Sequence, residues 1–330
     1  MSFRAAVIGC GKIGSGYADD PLLADDVYTH CEAYARCPET ELIGVCDRDA
    51  DVARRCGERW GVPAFTSVEE LLSREALHIV SICTPDATHA ALAQLAIEAP
   101  SVRAILCEKP IATTLSDAEA LIGLAAAANT TIAVAYVRRY AANMRALRDF
   151  VAEGSLGDVR AISGWYGKGV LHNGSHWFDL VRMLAGEAAW VEATDRMRRD
   201  VEDPDLDVTL GLASGAVATL RATEASKYSL FEMDLLMESG RIEIRDSGHR
   251  IATFLARPSE RYASYVDLSE QPLDFGDMRN TMLLAVEDLV AALSEGRPPL
   301  CTPADGLAAL RIAMAARKSA TDGCRVEIST

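Results

Sequence analysis

Short apolar runs alternate with longer stretches of helical spacing through the first 135 residues. Arg4–Gly9, Glu41–Cys46, His78–Cys83, Arg103–Cys107 and Thr131–Ala135 are mostly apolar and too short for buried helices, so they read as strands. Ala50–Trp60, Thr88–Ile97 and Leu115–Ala128 carry helical spacing between them. Apolar strands separated by helices predict βαβ units around a parallel sheet covered on both faces. Ser15–Tyr28 breaks the rhythm with Asp19-Asp20-Pro21 and Asp25-Asp26. It reads as a solvated insertion in the first crossover rather than a lid.

The pattern changes after Tyr136. Asn143–Glu153 reads as a helix stopped by Gly154, Val159–Tyr166 as a strand, and His176–Leu184 as a helix. From Trp190 to about Leu268, polar and apolar residues alternate in short runs: Asp207–Leu212, Ala216–Thr223, Phe231–Met237, Arg241–Ile244 and Ile251–Phe254. Ala213-Ser214-Gly215 and Glu238-Ser239-Gly240 read as hairpin turns. Alternation of period two predicts an antiparallel sheet with one face covered, because neighbouring side chains on a strand point to opposite faces. Two helices, Met278–Ser294 and Pro303–Thr321, and a strand, Arg325–Ile328, close the chain.

Composition adds limits. A chain of 330 residues that is 49% hydrophobic can fill two cores. No apolar run approaches the roughly 18 residues of a membrane span, and Met1-Ser2-Phe3-Arg4 leads straight into a strand, so a cytoplasmic location and no membrane partner are expected. The net charge of −15 disfavours nucleic acid. Lysine occurs only at Lys12, Lys109, Lys168, Lys227 and Lys318, which makes each position informative. Nine cysteines without a C-x-x-C pair read as buried small hydrophobes, not as disulfides or a metal site.

Two motifs carry the chemistry. Gly9-Cys10-Gly11-Lys12-Ile13-Gly14 follows the first strand and precedes helical sequence. In that context Gly9 permits a tight turn, Gly11 lets backbone approach a pyrophosphate, and Gly14 allows close helix–sheet packing. Helix N-terminal amides then hold the anion. Asp47 ends the second strand, where a carboxylate accepts the ribose hydroxyls and repels a 2′-phosphate. NAD(H) is favoured; Arg48 leaves NADP(H) open. Thr84-Pro85, with His89 four residues on, turns the chain out of the sheet. Glu108-Lys109-Pro110 places a lysine at the end of a later strand, at the carboxyl edge where open α/β sheets bind ligands. The cofactor set is Gly9, Gly11, Lys12, Ile13, Gly14, Asp47, Arg48, Thr84, Pro85, His89, Glu108 and Lys109.

Together these motifs resemble the Gfo/Idh/MocA family (glucose–fructose oxidoreductase, inositol dehydrogenase and rhizopine catabolism protein). His176-x-x-Asp179 and the tail Asp305-Gly306…Ser319…Gly323-x-x-Val326 agree, so the resemblance spans essentially the whole chain. It implies an NAD(P)-binding Rossmann domain over 1–137. It implies an α+β domain with an open, predominantly antiparallel sheet over 138–330, whose C-terminal helix is placed to pack back on the first domain. It also implies an outer sheet face that forms a homodimer or homotetramer, and a cis Lys109–Pro110 bond. The implied reaction interconverts a ring hydroxyl and a ketone on a sugar, sugar acid, nucleotide sugar or cyclitol. Lys109 then stabilises the reacting oxygen and His176 exchanges its proton. Many members carry aspartate four residues before that histidine, whereas this chain has His172, a modulating partner. Tyr136, Arg138, Tyr166, Lys168, Asn173 and Asp179 complete the expected substrate contacts. Arg138 and Lys168, cationic in an acidic protein, point to an anionic carbohydrate. A C=N reductase and a dinucleotide-binding regulator without turnover are the competing readings.

Overall fold

Capping residues set the limits of the first elements. The computed structural model describes residues 2–74, 77–198 and 201–328. It separates into two compact units, Met1–Ala141 with Arg279–Leu310, and Ala142–Met278 with Arg311–Thr330. No described helix is long and apolar enough to cross a membrane.

The first unit contains strands β1 (Phe3–Ile8), β2 (Thr40–Cys46), β3 (Ala64–Phe65), β4 (Ile79–Ile82), β5 (Ala104–Cys107) and β6 (Thr131–Val134). Its crossovers hold helices α1 (His30–Arg36), α2 (Ala50–Trp60), α3 (Val68–Leu72), α4 (His89–Glu98) and α5 (Leu115–Ala128). The sheet order is β3-β2-β1-β4-β5-β6, and every pairing is parallel. All residues of β4 and β5 are buried, as a sheet covered on both faces requires. Asp49 caps α2 by accepting from the Asp51 and Val52 amides, and Gly61 ends it at φ +68°. Thr114 caps α5 and Asn129 ends it in the left-handed region. The sequence pattern located these elements to within a residue or two; it did not signal α1, β3 or α3.

The second unit opens with α6 (Ala142–Ala152), β7 (Val159–Tyr166), a π-helical turn (Gly169–Gly174) and α7 (Ser175–Ala185). Strands β8 (Ala188–Thr194), β9 (Asp207–Leu212), β10 (Val217–Ala222), β11 (Glu232–Met237), β12 (Gly240–Arg245), β13 (Arg250–Pro258) and β14 (Val266–Glu270) follow. After α8 (Thr281–Glu295) and α9 (Pro303–Asp322), β15 (Val326–Glu327) completes this sheet in the order β14-β13-β12-β11-β7-β10-β9-β8-β15. The sheet is antiparallel except where β10 runs parallel to β7. The two turns read as hairpins join β9 to β10 and β11 to β12. Ile162, Ala218 and Leu235 lie on its covered face; Trp165, Val217 and Leu236 are exposed on the other. β14 has no buried residue, so it carries no alternation for sequence reading to find.

Candidate active site

The glycine motif is built by steric exclusion. Gly9 has φ +98°, and a Cβ there would sit 2.6 Å from the Cys83 carbonyl on the neighbouring strand. A Cβ on Gly14 would collide with the Gly9 carbonyl oxygen, whereas one on Gly11 would meet nothing within 4 Å. The turn is therefore tight beneath and open above. Gly11 and Lys12 are exposed there and Ile13 is half-buried. One helical turn follows, with Ser15 and Gly16 amides donating to the Gly11 carbonyl at 3.0 and 2.9 Å.

The helix expected after Gly14 then breaks off. Residues 15–29 leave as two 3-10 turns, Gly16–Asp19 and Pro21–Leu23. The His30 and Cys31 amides return to the Ile13 and Gly14 carbonyls at 3.1 and 3.0 Å, taking the places that Tyr17 and Ala18 would fill in an unbroken helix. The excursion thus adds thirteen positions to the crossover. This accounts for the long separation between the glycines and Asp47, which is otherwise about 20 residues in such folds. Asp47 lies beside the turn: Oδ2 accepts the Cys10 amide at 2.9 Å and Oδ1 the Asp49 amide at 3.0 Å. Each carboxylate oxygen keeps acceptor capacity for a ribose hydroxyl. The open space over Gly11, the helical-turn amides and this carboxylate fit a dinucleotide.

Thr84-Pro85 and Glu108-Lys109-Pro110 follow β4 and β5 on the same carboxyl edge, and the Lys109–Pro110 bond is cis. His89 was expected at the cofactor. Instead it is fully buried, with Nδ1 2.7 Å from the Pro110 carbonyl and Nε2 2.8 Å from the Thr84 carbonyl. It lies between the two turns within reach of a carbonyl oxygen of each, and a neutral ring, with one N–H, donates to one of them. Lys109 and Glu108 are each 8% exposed. Tyr136 and Arg138 follow β6 on this edge and are buried. Burial lowers the Arg138 guanidinium to about 10, opposed by the Tyr28 phenol.

Sequence reading missed the partner of Glu108. His30, fully buried at the start of α1, places Nε2 3.0 Å from Glu108 Oε1 and Nδ1 2.8 Å from Ser81 Oγ. Tyr34 Oη is 2.8 Å from the same Ser81 hydroxyl. With Tyr34 donating to Ser81, Ser81 to His30 and His30 to Glu108, every hydroxyl and ring nitrogen is used. Glu108 Oε2 accepts the Lys109 amide at 3.3 Å. Burial alone would raise the Glu108 carboxyl, but the His30 hydrogen bond and nearby positive charge, including Lys109, hold it below the ordinary carboxylate value.

In the second unit, Lys168 and Gly169 have φ +72° and +86° and start the π-helical turn. Asp203 pins that turn, accepting the Leu171 and His172 amides at 2.9 and 2.8 Å. Asp205 accepts the Gly169 amide at 2.7 Å. The Asp203-Pro204-Asp205 sequence was the available signal. His172 is exposed, and His176 is half-buried in the first turn of α7. Trp177, Phe178, Leu180, Val181 and Leu184 are buried around that helix and hold it. Asn173 Nδ2 donates to the Gly167 carbonyl at 2.8 Å. Two expected substrate contacts are buried in the fold. Tyr166 is fully buried, its hydroxyl donating to the Leu206 carbonyl and accepting the Leu206 amide at 2.9 and 2.8 Å. Asp179 is 1% exposed and lies 3.8 Å from Arg182.

Lys168 supplies a direct test. A side chain at positive φ costs about 1–2 kcal/mol, part of which glycine's extra chain entropy cancels. Lys168→Gly is expected to raise unfolding stability by about 0.5–1 kcal/mol. A loss of stability in denaturant titration would count against this account of the turn.

A glycine-cradled parallel sheet followed by a unit with a large open sheet defines a dinucleotide-binding oxidoreductase. The chain belongs to the Gfo/Idh/MocA family. Its residues 3–136 match the description "Oxidoreductase family, NAD-binding Rossmann fold", and residues 160–328 match "Oxidoreductase family, C-terminal alpha/beta domain". The chain is 26% identical to the inositol 2-dehydrogenase of Rhizobium meliloti over 358 aligned positions, covering 100% of both chains. It is 25% identical to the D-apiose dehydrogenase of Paraburkholderia graminis, covering 99% of this chain and 90% of that protein. A levoglucosan dehydrogenase solved with NADH and L-sorbose shares the fold at TM-score 0.82 and 20% identity, covering 100% of each chain.

Proposed function

We propose that this protein is an NAD(P)-dependent dehydrogenase interconverting a ring hydroxyl and a ketone on a sugar, sugar acid, nucleotide sugar or cyclitol. The observation that carries the proposal is Lys109, an ammonium at the end of β5 in the sheet that also carries the glycine cradle. Full-length kinship to dehydrogenases of a cyclitol and a pentose supports it. The bound nicotinamide supplies the hydride acceptor or donor. Lys109 hydrogen-bonds the carbinol oxygen and stabilises the negative charge that develops there. His176 takes or returns the hydroxyl proton, a role suited to a side chain whose ordinary pKa is about 6.5. His172 modulates that exchange. Arg138 and Lys168 select an anionic carbohydrate, with Tyr136 and Asn173 orienting it. The exposed sheet face bearing Trp165, Val217 and Leu236 forms a homodimer or homotetramer, and the protein works in the cytoplasm.

The test is a panel of sugars, sugar acids, nucleotide sugars and cyclitols, followed by nicotinamide absorbance with NAD and NADP. Turnover on one class supports the proposal; tight cofactor binding with no turnover on any class overturns it in favour of a regulator. Cofactor choice gives a separate prediction. Asp47→Ser removes the charge that repels a 2′-phosphate, so the NADPH-to-NADH ratio of kcat/KM should rise at least tenfold, equivalent to about 1.4 kcal/mol. An unchanged ratio would show that Asp47 does not face the ribose.

A further inference from the structure

Three cysteines meet beneath the glycine turn, and nothing in the dehydrogenase reaction uses them. Cys10 sits inside the motif, Cys31 on α1 and Cys56 on α2, exposed by 6%, 0% and 5%. Cys31 Sγ lies 4.0 Å from Cys56 Sγ. Cys10 Sγ donates to the Cys46 carbonyl at 3.6 Å, which leaves Cys31 and Cys56 as the two sulfurs in mutual contact. Beside them the Ser15 hydroxyl accepts the Trp60 indole N–H at 2.8 Å. Hydrogen bonding holds the Cys56 thiol below its ordinary value, while the contact with Cys56 and burial raise Cys31. Two sulfurs in contact, one held more acidic than the other, are the arrangement of an attacking and a resolving cysteine.

We propose that Cys56 and Cys31 are an oxidation-sensitive pair that closes a disulfide under the cofactor cradle when hydrogen peroxide is present. The Cys56 thiolate attacks the peroxide: the S–O bond forms, the O–O bond breaks and hydroxide leaves, taking a proton to become water. Cys31 sulfur then attacks the sulfenic sulfur. The S–S bond forms, the S–O bond breaks, and the departing hydroxyl takes the Cys31 proton as a second water. Two thiols are oxidised and one peroxide is reduced.

The disulfide matters because of where the pair sits. Bringing the sulfurs from 4.0 Å to the roughly 2.05 Å of a disulfide draws α1 and α2 together. Cys31 is tied to the motif directly, its amide donating to the Gly14 carbonyl at 3.0 Å. Cys10 is the residue whose amide binds Asp47. The cradle therefore loses its support on the side of the proposed ribose contact, a consequence that rests on the cofactor reading above.

The experiment uses full-length Cys324→Ser protein, which lacks the one exposed thiol, treated with a small excess of peroxide. After alkylation and digestion, peptides carrying Cys31 and Cys56 should be recovered cross-linked. The NADH dissociation constant should rise at least fivefold, and dithiothreitol should reverse both changes. In Cys31→Ser, dimedone should label Cys56; in Cys56→Ser, peroxide should leave the affinity unchanged. Cys31 and Cys56 remaining alkylatable after peroxide would overturn the proposal, as would a cross-link that leaves NADH binding unaltered. Peptide mapping reads the disulfide without reference to cofactor, so failure of the reduced protein to bind NADH would be seen separately.

Discussion

Replacing Lys109 with methionine is expected to lower kcat about a thousandfold, with NADH binding within about threefold of the parent. Methionine keeps the length and the apolar stem, which matters because Lys109 is only 8% exposed. What disappears is the ammonium. If that group stabilises charge developing on the carbinol oxygen, its removal raises the transition state and leaves the ground state nearly unaffected. The loss should therefore fall on kcat more than on KM. Folding should survive at reduced stability, because His30 and the residue-109 backbone amide still hold the Glu108 carboxylate. Steady-state kinetics with the substrate found by screening, together with NADH fluorescence titration, check this. Activity within tenfold of the parent would place the ammonium away from the reacting oxygen. His176→Ala would then be the remaining test of the proton-exchange role.

The second large effect concerns His30. His30→Ala leaves the Glu108 carboxylate buried without its ring partner, which should cost about 3–5 kcal/mol of unfolding stability. A pH dependence accompanies it. In the parent, the Glu108 carboxyl is held below its ordinary value. That stabilisation is fully present above the unfolded value of about 4.3, and is lost as pH falls through the lower native value. Without His30, burial is left as the leading influence and pushes the carboxyl upward. A carboxyl raised in the native state costs stability at higher pH, so the variant should become relatively less unstable as the solution is acidified. Adding Glu108→Gln to His30→Ala should recover part of the loss, because a neutral amide does not have to be buried as a charge. Denaturant titrations from neutral to mildly acid pH measure all three. A His30→Ala cost below about 1 kcal/mol would mean that water replaces the ring.

The readable parts of this protein share a physical reason. β4 and β5 were legible because a strand buried on both faces must be apolar at every position. α2 and α5 are legible because helical spacing is a pattern among residues a few positions apart. The glycine turn and the lysine after β5 were legible for the same reason: their work depends on backbone shape and on the end of a strand. Tyr166 shows where local reading ends. It stands among the expected substrate contacts, yet its hydroxyl is satisfied by Leu206, forty positions further on.

His30 is the clearest case of a residue that spacing could not assign. Its partners are 51 and 78 positions away, and it reaches them only because α1 resumes after the excursion at the height of the Ile13 and Gly14 carbonyls. Cys31 and Cys56 looked like ordinary buried hydrophobes until two helices set their sulfurs side by side. Alternation, caps and turn residues are written in neighbouring positions, so the chain alone discloses elements and their order. Pairings between buried polar atoms depend on distances that packing establishes, so they were decided only when the layers came together.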